Sequence, residues 1–487
     1  ASLLYKPSER LTLQLMAQTQ DAKAGDRQAD NAAFTQAEYT ATSRYRQPMN
    51  GDLDMANIGL SYDFDEYLLH VAVGSYDYKQ SLTSDLTDLF LNYYGYPDTS
   101  LAYSQSTVQV EQKTLEARLT SKWDGPVNGL LGFFYSNNEL SVAQDELLED
   151  AVNGPQGLDY SSEQQQRLDD KAMFAELSWS VSERLELTLG GHYFDYQDDV
   201  TSCSTWPGSP QNCFEGSEAA GNFSGKLAAL VKVSENLNTY FSVSEGFRRG
   251  GANPKVPLEL AAQRYYQPDS TLNYEWGLNG VFLQERLSLN AALYYIDWSS
   301  VQLMSWHDES QTGYISNAGD AASQGLEVEL TAQLNQQFSL QASASYSSAR
   351  LTETELSYND TSGAGVNGYR GDRLPGSPKT QAALALMFDQ TIDEFKVHAS
   401  LRGQWLGDLN TQLNPEHDDF TKLGGYCLWD LNLAVAQGSW RTGVFVNNLA
   451  NKRALSGLQG STYFGDQGAF AYVSRPRTIG LDVAFSY

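Results

Sequence analysis

The positions best suited to hold a charged ligand are Arg248 and Arg249, adjacent in residues 244–254 (SEGFRRGGANP). They stand near the outer end of a predicted strand, in a chain with 32 basic against 60 acidic side chains. Two neighbouring guanidiniums offer forked donors matched to a carboxylate or an anionic metal chelate. A salt bridge to one of the abundant Asp and Glu side chains is the simpler reading of the same pair. Trp206, Trp306 and the Tyr93-Tyr94 pair add aromatic surface in predicted loops, for ligand recognition or for a membrane interface. His307 (in His307-Asp308-Glu309) and His417 (in His417-Asp418-Asp419) sit beside hard oxygen ligands. A solvated acidic loop accounts for both more simply, and no metal site is assigned.

No arrangement of nucleophile, base and acid is visible. The five histidines are scattered, and neither G-x-S-x-G nor H-E-x-x-H occurs. No enzyme activity and no cofactor is expected. Cys203 and Cys213 lie ten apart in CSTWPGSPQNC, a Pro/Gly-containing loop, and can close a small disulfide ring in an oxidising compartment. A metal pair there lacks a third soft ligand nearby. Cys427 is left over as a wall residue.

Composition narrows the class. A net charge of −28 and a pI near 4.4 argue against nucleic acid, whose phosphates need a basic footprint. Mean hydropathy is −0.43, and no run of eighteen apolar residues offers a membrane helix. A membrane barrel escapes both tests, because every second residue faces a wet lumen. Aromatics reach 12%, with 29 Tyr and 9 Trp, which suits interfacial girdles.

Strict alternation dominates the chain. In residues 338–346 (FSLQASASY), Phe338, Leu340, Ala342, Ala344 and Tyr346 share one face, with Ser and Gln on the other. Leu185, Leu187 and Leu189 alternate with Glu186 and Thr188; Val397, Ala399 and Leu401 alternate with His398, Ser400 and Arg402. Period two is strand. By the same parity His70, His192 and His398 face the lumen. Tight polar turns at 182–184, 235–237, 284–286, 335–337 and 437–439 alternate with long predicted loops at 21–53, 84–107, 147–170, 252–271 and 353–373. That sorting predicts periplasmic turns and external loops of a transmembrane antiparallel β-barrel, all-β, with roughly nineteen strands. The chain then reads as one barrel domain over residues 1–487. Ile479, Leu481, Val483, Phe485 and Tyr487 form the apolar face of the last strand, which stops on an aromatic.

The order of motifs resembles the TonB-dependent receptor family. It is carried by SEGFRRGGANP (244–254), LNYEWGLNGVFLQERLSLNAALYYIDWSSVQL (272–303) and ISNAGDAASQGLEVEL (315–330), followed by RLPGSPK (373–379), VNNLANKR (446–453) and RPRTIGLDVAFSY (475–487). Each motif alone is weak; six in the family's order over more than half the chain are not. The resemblance implies a bacterial outer-membrane receptor that binds a small-molecule metal chelate, foremost a ferric siderophore, with outer loops and lumen wall. It also implies uptake driven by the TonB complex through a plug domain, with membrane lipid and lipopolysaccharide around the wall.

The family's barrel has twenty-two strands around an N-terminal plug. Here the plug and first strands are missing from the reading, so 1–6 looks like the tail of a fourth strand. An odd strand count puts the first and last strands in the same direction. The expectation is an open seam beside the last strand, completed by upstream residues or a companion chain. A passive porin-like channel is the alternative function, and a soluble β-rich binding or glycan-active protein a more distant one.

Overall fold

A computed structural model describes residues 2–26, 30–31, 43–92, 94–150, 154–256, 263–307, 312–353, 355–356, 366–416, 420–459 and 470–486. Its frame is a single nineteen-stranded sheet in which each strand pairs antiparallel with the next in sequence. The strands are β1 (Ser2–Tyr5), β2 (Leu11–Ala24), β3 (Met49–Asp63), β4 (Tyr67–Asp85), β5 (Ser100–Ser121) and β6 (Val127–Asp150). Next come β7 (Gly154–Ser182), β8 (Leu185–Thr205), β9 (Asn212–Ser234), β10 (Leu237–Arg248), β11 (Asp269–Phe282) and β12 (Leu287–Ser299). The wall ends with β13 (Ala321–Gln333), β14 (Phe338–Leu351), β15 (Thr380–Ile392), β16 (Phe395–Leu406), β17 (Tyr426–Gln437), β18 (Trp440–Asn447) and β19 (Thr478–Phe485). Among the described residues β1 pairs only with β2 and β19 only with β18, so the sheet has two unpaired edges, as the odd strand count implied.

Alternation sorts the side chains as the sequence suggested. Leu189 is 61% exposed on the outward face, while its chain neighbours Thr188 and Gly190, on the inward parity, are half-buried. The outward row is apolar because nothing but lipid tails can satisfy it, and each backbone group is already paired along the ladder. The tight turns force unusual backbone: Leu283, Gln284 and Glu285 all take positive φ between β11 and β12. His70, His192 and His398 do face inward, where His70 Nδ1 meets Ser61 Oγ at 2.9 Å and His398 Nδ1 meets Asp389 at 2.8 Å.

Several sequence expectations need correction. Residues 147–170 are almost entirely strand, because β6 and β7 run 24 and 29 residues where about 9–11 cross the hydrocarbon. Above the bilayer the outward face no longer has to be apolar, so alternation fades while backbone pairing continues. Glu163 still pairs with Cys203, and Gln164 with Ser202. The cysteines therefore lie on strands, not in a loop: Cys203 of β8 and Cys213 of β9 are register partners and are bonded to each other. Ahead of two wall strands the chain first forms short strands in the external connections. Thr312–Asn317 pairs with Gln302–His307, and the chain turns at Gly319 (φ 69°) before β13. Phe470–Val473 pairs with Leu455–Gln459, and Pro476, which has no N–H to donate, separates it from β19.

The wall is lopsided. Strands β5 to β9 run 21 to 29 residues, whereas β10 to β17 run 12 to 14. The tall side needs inner cover, and an apolar cluster of Ala172, Phe194 and Tyr196 with Phe134, Leu168 and Phe247 supplies it. On the low side Val301, Ala321, Leu351, Leu374 and Leu413 pack where external connections cross the strand ends.

Candidate ligand-binding site

The Arg248–Arg249 segment is built by a divergence of strands. β10 leaves β9 after Ser244 meets Lys226, yet stays paired with β11 as far as Arg248 opposite Asp269. Its end turns inward, and the Phe247 ring stacks on Phe194 of the inner wall at 3.4 Å between centroids and 2° between planes. The following Gly250 lets the chain lie on that wall. A Cβ there would stand 2.5 Å from the Tyr266 carbonyl oxygen and 2.8 Å from Glu218 Oε1.

Arg248 faces a carboxylate that is nearly sealed from solvent. Asp269 is 2% exposed and takes Arg248 Nε at 3.0 and 2.9 Å, Trp298 Nε1 at 3.1 Å and the Gln302 backbone N–H at 3.1 Å. The guanidinium also lies 5.0 Å from the Trp298 ring centroid, a cation–π contact. Gln302 closes the knot by donating its side-chain amide to the carbonyls of Arg249 and Gln267. Arg248 is thus half a structural clamp.

Arg249 points the other way, to the tall wall. Its Nη1 donates to Asp170 of β7, and its guanidinium stands 5.9 Å from the Tyr196 ring. Beyond Tyr196, Asp198 and Glu218 are direct partners across β8 and β9, and Gln166 Nε2 donates to both Asp198 oxygens. Burial, with the nearby Asp198 and Glu218 carboxylates, pushes the Tyr266 phenol up from its ordinary value. This mouth is polar, crowded and acid-rich, with Arg249 placed among its carboxylates. It can orient a ligand bearing both charge signs through paired hydrogen bonds, and among its described residues no nucleophile–base pair is displayed.

The remaining sequence candidates sit on other hairpins. Tyr94 follows a short helix, α1 (Thr87–Asn92), is 58% exposed and tilts against Phe90 at 5.2 Å. Trp206 is 50% exposed and packs 4.8 Å from Tyr160. Trp306 and His307 end the strand Gln302–His307, and their side chains lie outside the described residues, as do Tyr93, Asp308, Glu309 and His417. Asp269, Trp298 and Gln302 escaped the sequence reading. An acid at a strand end looks like any other of the 60, and only the register shows which one meets Arg248.

Residues 5–449 match the family model described as TonB dependent receptor-like, beta-barrel. The metal-pseudopaline receptor CntO of Pseudomonas aeruginosa is 25% identical over 229 residues, which cover 47% of this chain and 29% of that receptor. The aligned stretch is thus less than a third of that relative's length. In three dimensions the chain is similar to the ferric yersiniabactin uptake receptor FyuA of Yersinia pestis, with TM-score 0.80 and 16% identity, over 100% of this chain and 70% of that one. It is also similar to the siderophore receptor PiuA of Acinetobacter baumannii, with TM-score 0.76 and 14% identity, over 100% of this chain and 73% of that one. At these identities the structures speak to fold alone.

Proposed function

This chain belongs to the TonB dependent receptor-like β-barrel family of the bacterial outer membrane, and from that premise we propose that it takes up a metal chelate, foremost a ferric siderophore. The observation that carries the reading is the family match over residues 5–449, together with an inward-folded, polar mouth at Arg249. The chelate is bound by external loops and the upper lumen wall. Arg249 exchanges Asp170 for a ligand carboxylate, and Arg248 holds the segment in place. Tyr94, Trp206, Trp306 and His307 add contacts from the surrounding loops. The name of CntO supports a broader ligand class, in which the metal need not be iron.

The two unpaired edges support a barrel completed by further strands, and the family match supports a plug that rearranges under TonB to open the path. The lumen of a barrel this size is too wide for its own side chains to fill. Binding of a panel of ferric, zinc and nickel chelates to the full receptor, followed by Trp fluorescence, tests the reading. One chelate class binding tightly, and more weakly to Arg249→Ala, is the expected result. No chelate binding, with a large steady conductance in planar bilayers that added plug does not close, would point to a passive channel.

A further inference from the structure

The outward face carries an apolar groove that the transport reading does not use. It runs obliquely across β5 to β9 near the periplasmic turns and has a volume of about 510 Å³. Its floor is made of small residues on adjacent strands. Ser121 accepts the Gly129 N–H at 2.7 Å, and Ala175 is the register partner of Gly191. The floor steps from the first pair to the second between Leu131 and Leu177, which are 56% and 46% exposed.

Both ends are defined. At the upper end Phe223 leans over Gly191, where a Cβ would lie 2.7 Å from the ring, so a side chain at 191 would displace the aromatic stop. At the lower end Tyr67 and Trp123 meet edge to face, 5.8 Å apart and 83° between planes. Amphipathic aromatics of this kind sit at headgroup level. Beside them the charges are balanced rather than of one sign: Lys122 is bound to Asp63, and Arg10 to Asp65.

The groove is continuous with the lipid-facing band of the wall, so hydrocarbon is what covers it. Most of that band presents protruding Leu, Val and aromatic side chains, against which lipid tails slide. Here small residues leave a recess between the protruding Leu131, Leu177 and Leu189, and packing against a recess gains contacts that a smooth surface cannot offer. We propose that the groove is a resident-lipid site that holds one acyl chain of a zwitterionic phospholipid of the periplasmic leaflet, with the headgroup at Trp123 and Tyr67.

Native mass spectrometry of the receptor extracted from outer membranes tests this. The unsubstituted protein should keep one phospholipid at collision energies that strip the annular lipids. Ala175→Phe, which fills the floor, should lose it, while Ala399→Phe, the same change on the outward face of β16, should keep it. Should Ala175→Phe fail to assemble, brominated phospholipid gives a second readout on the unsubstituted protein and on Trp123→Phe. Quenching that depends on Trp123 and persists after exchange into unbrominated lipid is expected. No retained lipid, equal retention in Ala175→Phe and Ala399→Phe, Trp123 quenching that vanishes on exchange, or retained mass matching a second copy of the chain would each overturn the proposal.

Discussion

Arg248 and Asp269 are the last register partners of the β10–β11 ladder, and their side chains meet as a forked ion pair around a carboxylate sealed from solvent. Removing the arginine strands that carboxylate with Trp298 and one backbone donor. Breaking a buried pair from one side costs about 3–5 kcal/mol, and less here because Arg248 itself is half exposed. Arg248→Ala should therefore loosen the inward-folded segment after β10 while the barrel below stays assembled. Hydrogen exchange over residues 245–256 should accelerate, with β11 to β16 unchanged. Unaltered exchange there would show that the clamp is not needed.

A second clamp ties the connection before β15 to the one after β16. Arg373, 6% exposed, donates to the Asp408 carboxylate at 3.1 Å, and Lys422 approaches the same oxygen at 3.2 Å. Burial tends to raise the Asp408 carboxyl, but the hydrogen bonds and charges of Lys422 and Arg373 outweigh it and hold the group below the ordinary carboxylate value. A depressed folded value contributes stability above the unfolded pKa of about 3.9, and that contribution is lost as pH falls through the folded value. Exchange protection of residues 408–411 should hold from pH 7 to 5 and fall only in stronger acid. In Asp408→Asn the acid-dependent step should be absent. An identical acid step in that variant would assign it to another group.

How much of this was legible in the sequence follows from where lipid imposes a pattern. Leu185, Leu187 and Leu189 announce β8 because the bilayer demands an apolar residue at every second position. Higher on the same sheet Gln164, Gln165 and Gln166 show no contrast between faces, so the upper half of β7 read as a loop. The positive pair at Arg248 and Arg249 was visible as a composition anomaly. Its partners were not, since Asp170 lies 79 residues away from Arg249 and is selected only by the inward turn of β10. The cysteine spacing pointed to a ring, but not to strand positions directly opposite each other.

The two faces of the wall differ in solvent, and a charge reports which is which. Leu340 of β14 points outward and Gln341 points to the lumen. Leu340→Arg, close to the turn at 335–337, should cost up to about 2 kcal/mol in bilayer folding, below the ~2–4 kcal/mol of a midplane arginine, and Gln341→Arg much less. Urea titrations of folding into vesicles measure both. Equal penalties would be incompatible with lipid on one side only.

Just above the apolar belt four carboxylates stand directly across from one another on adjacent strands. Asp54 of β3 pairs with Asp77 of β4, Asp77 with Glu111 of β5, and Glu111 with Glu139 of β6. Like charges in direct cross-strand register destabilise by roughly a few tenths of a kcal/mol per pair, and exposed ones are screened by salt. Glu111 has two such neighbours. Glu111→Gln should therefore raise the thermal midpoint at low ionic strength, and the gain should shrink as salt is added. A drop in the midpoint, or a gain independent of salt, would contradict repulsion as the cause.

The tip of the tall wall is held by Cys203 and Cys213, whose Cα atoms are 4.1 Å apart. The bond spans only the β8–β9 tip, which carries Trp206 against Tyr160, while the same two strands are paired in an unbroken ladder from Asn212–Ser204 down to Val231–Leu185. A disulfide stabilises mainly by restricting the unfolded chain, and a ring this short restricts little of it; loops of about fifteen residues give ~3 kcal/mol at most in favourable cases. The ladder holds the strands without help. Replacing both cysteines with serine should thus leave the barrel folded and resistant to detergent unfolding, but should free the tip. Proteolysis within residues 204–211 should quicken, and quenching of Trp206 by iodide should rise. Alkylation without reduction should label Cys427, the one free cysteine, and leave the other two untouched. Three labelled cysteines would mean that the pair is not bonded in the mature protein. Loss of the folded barrel in the double serine variant would mean that the staple, rather than the ladder beneath it, sets the height of the wall.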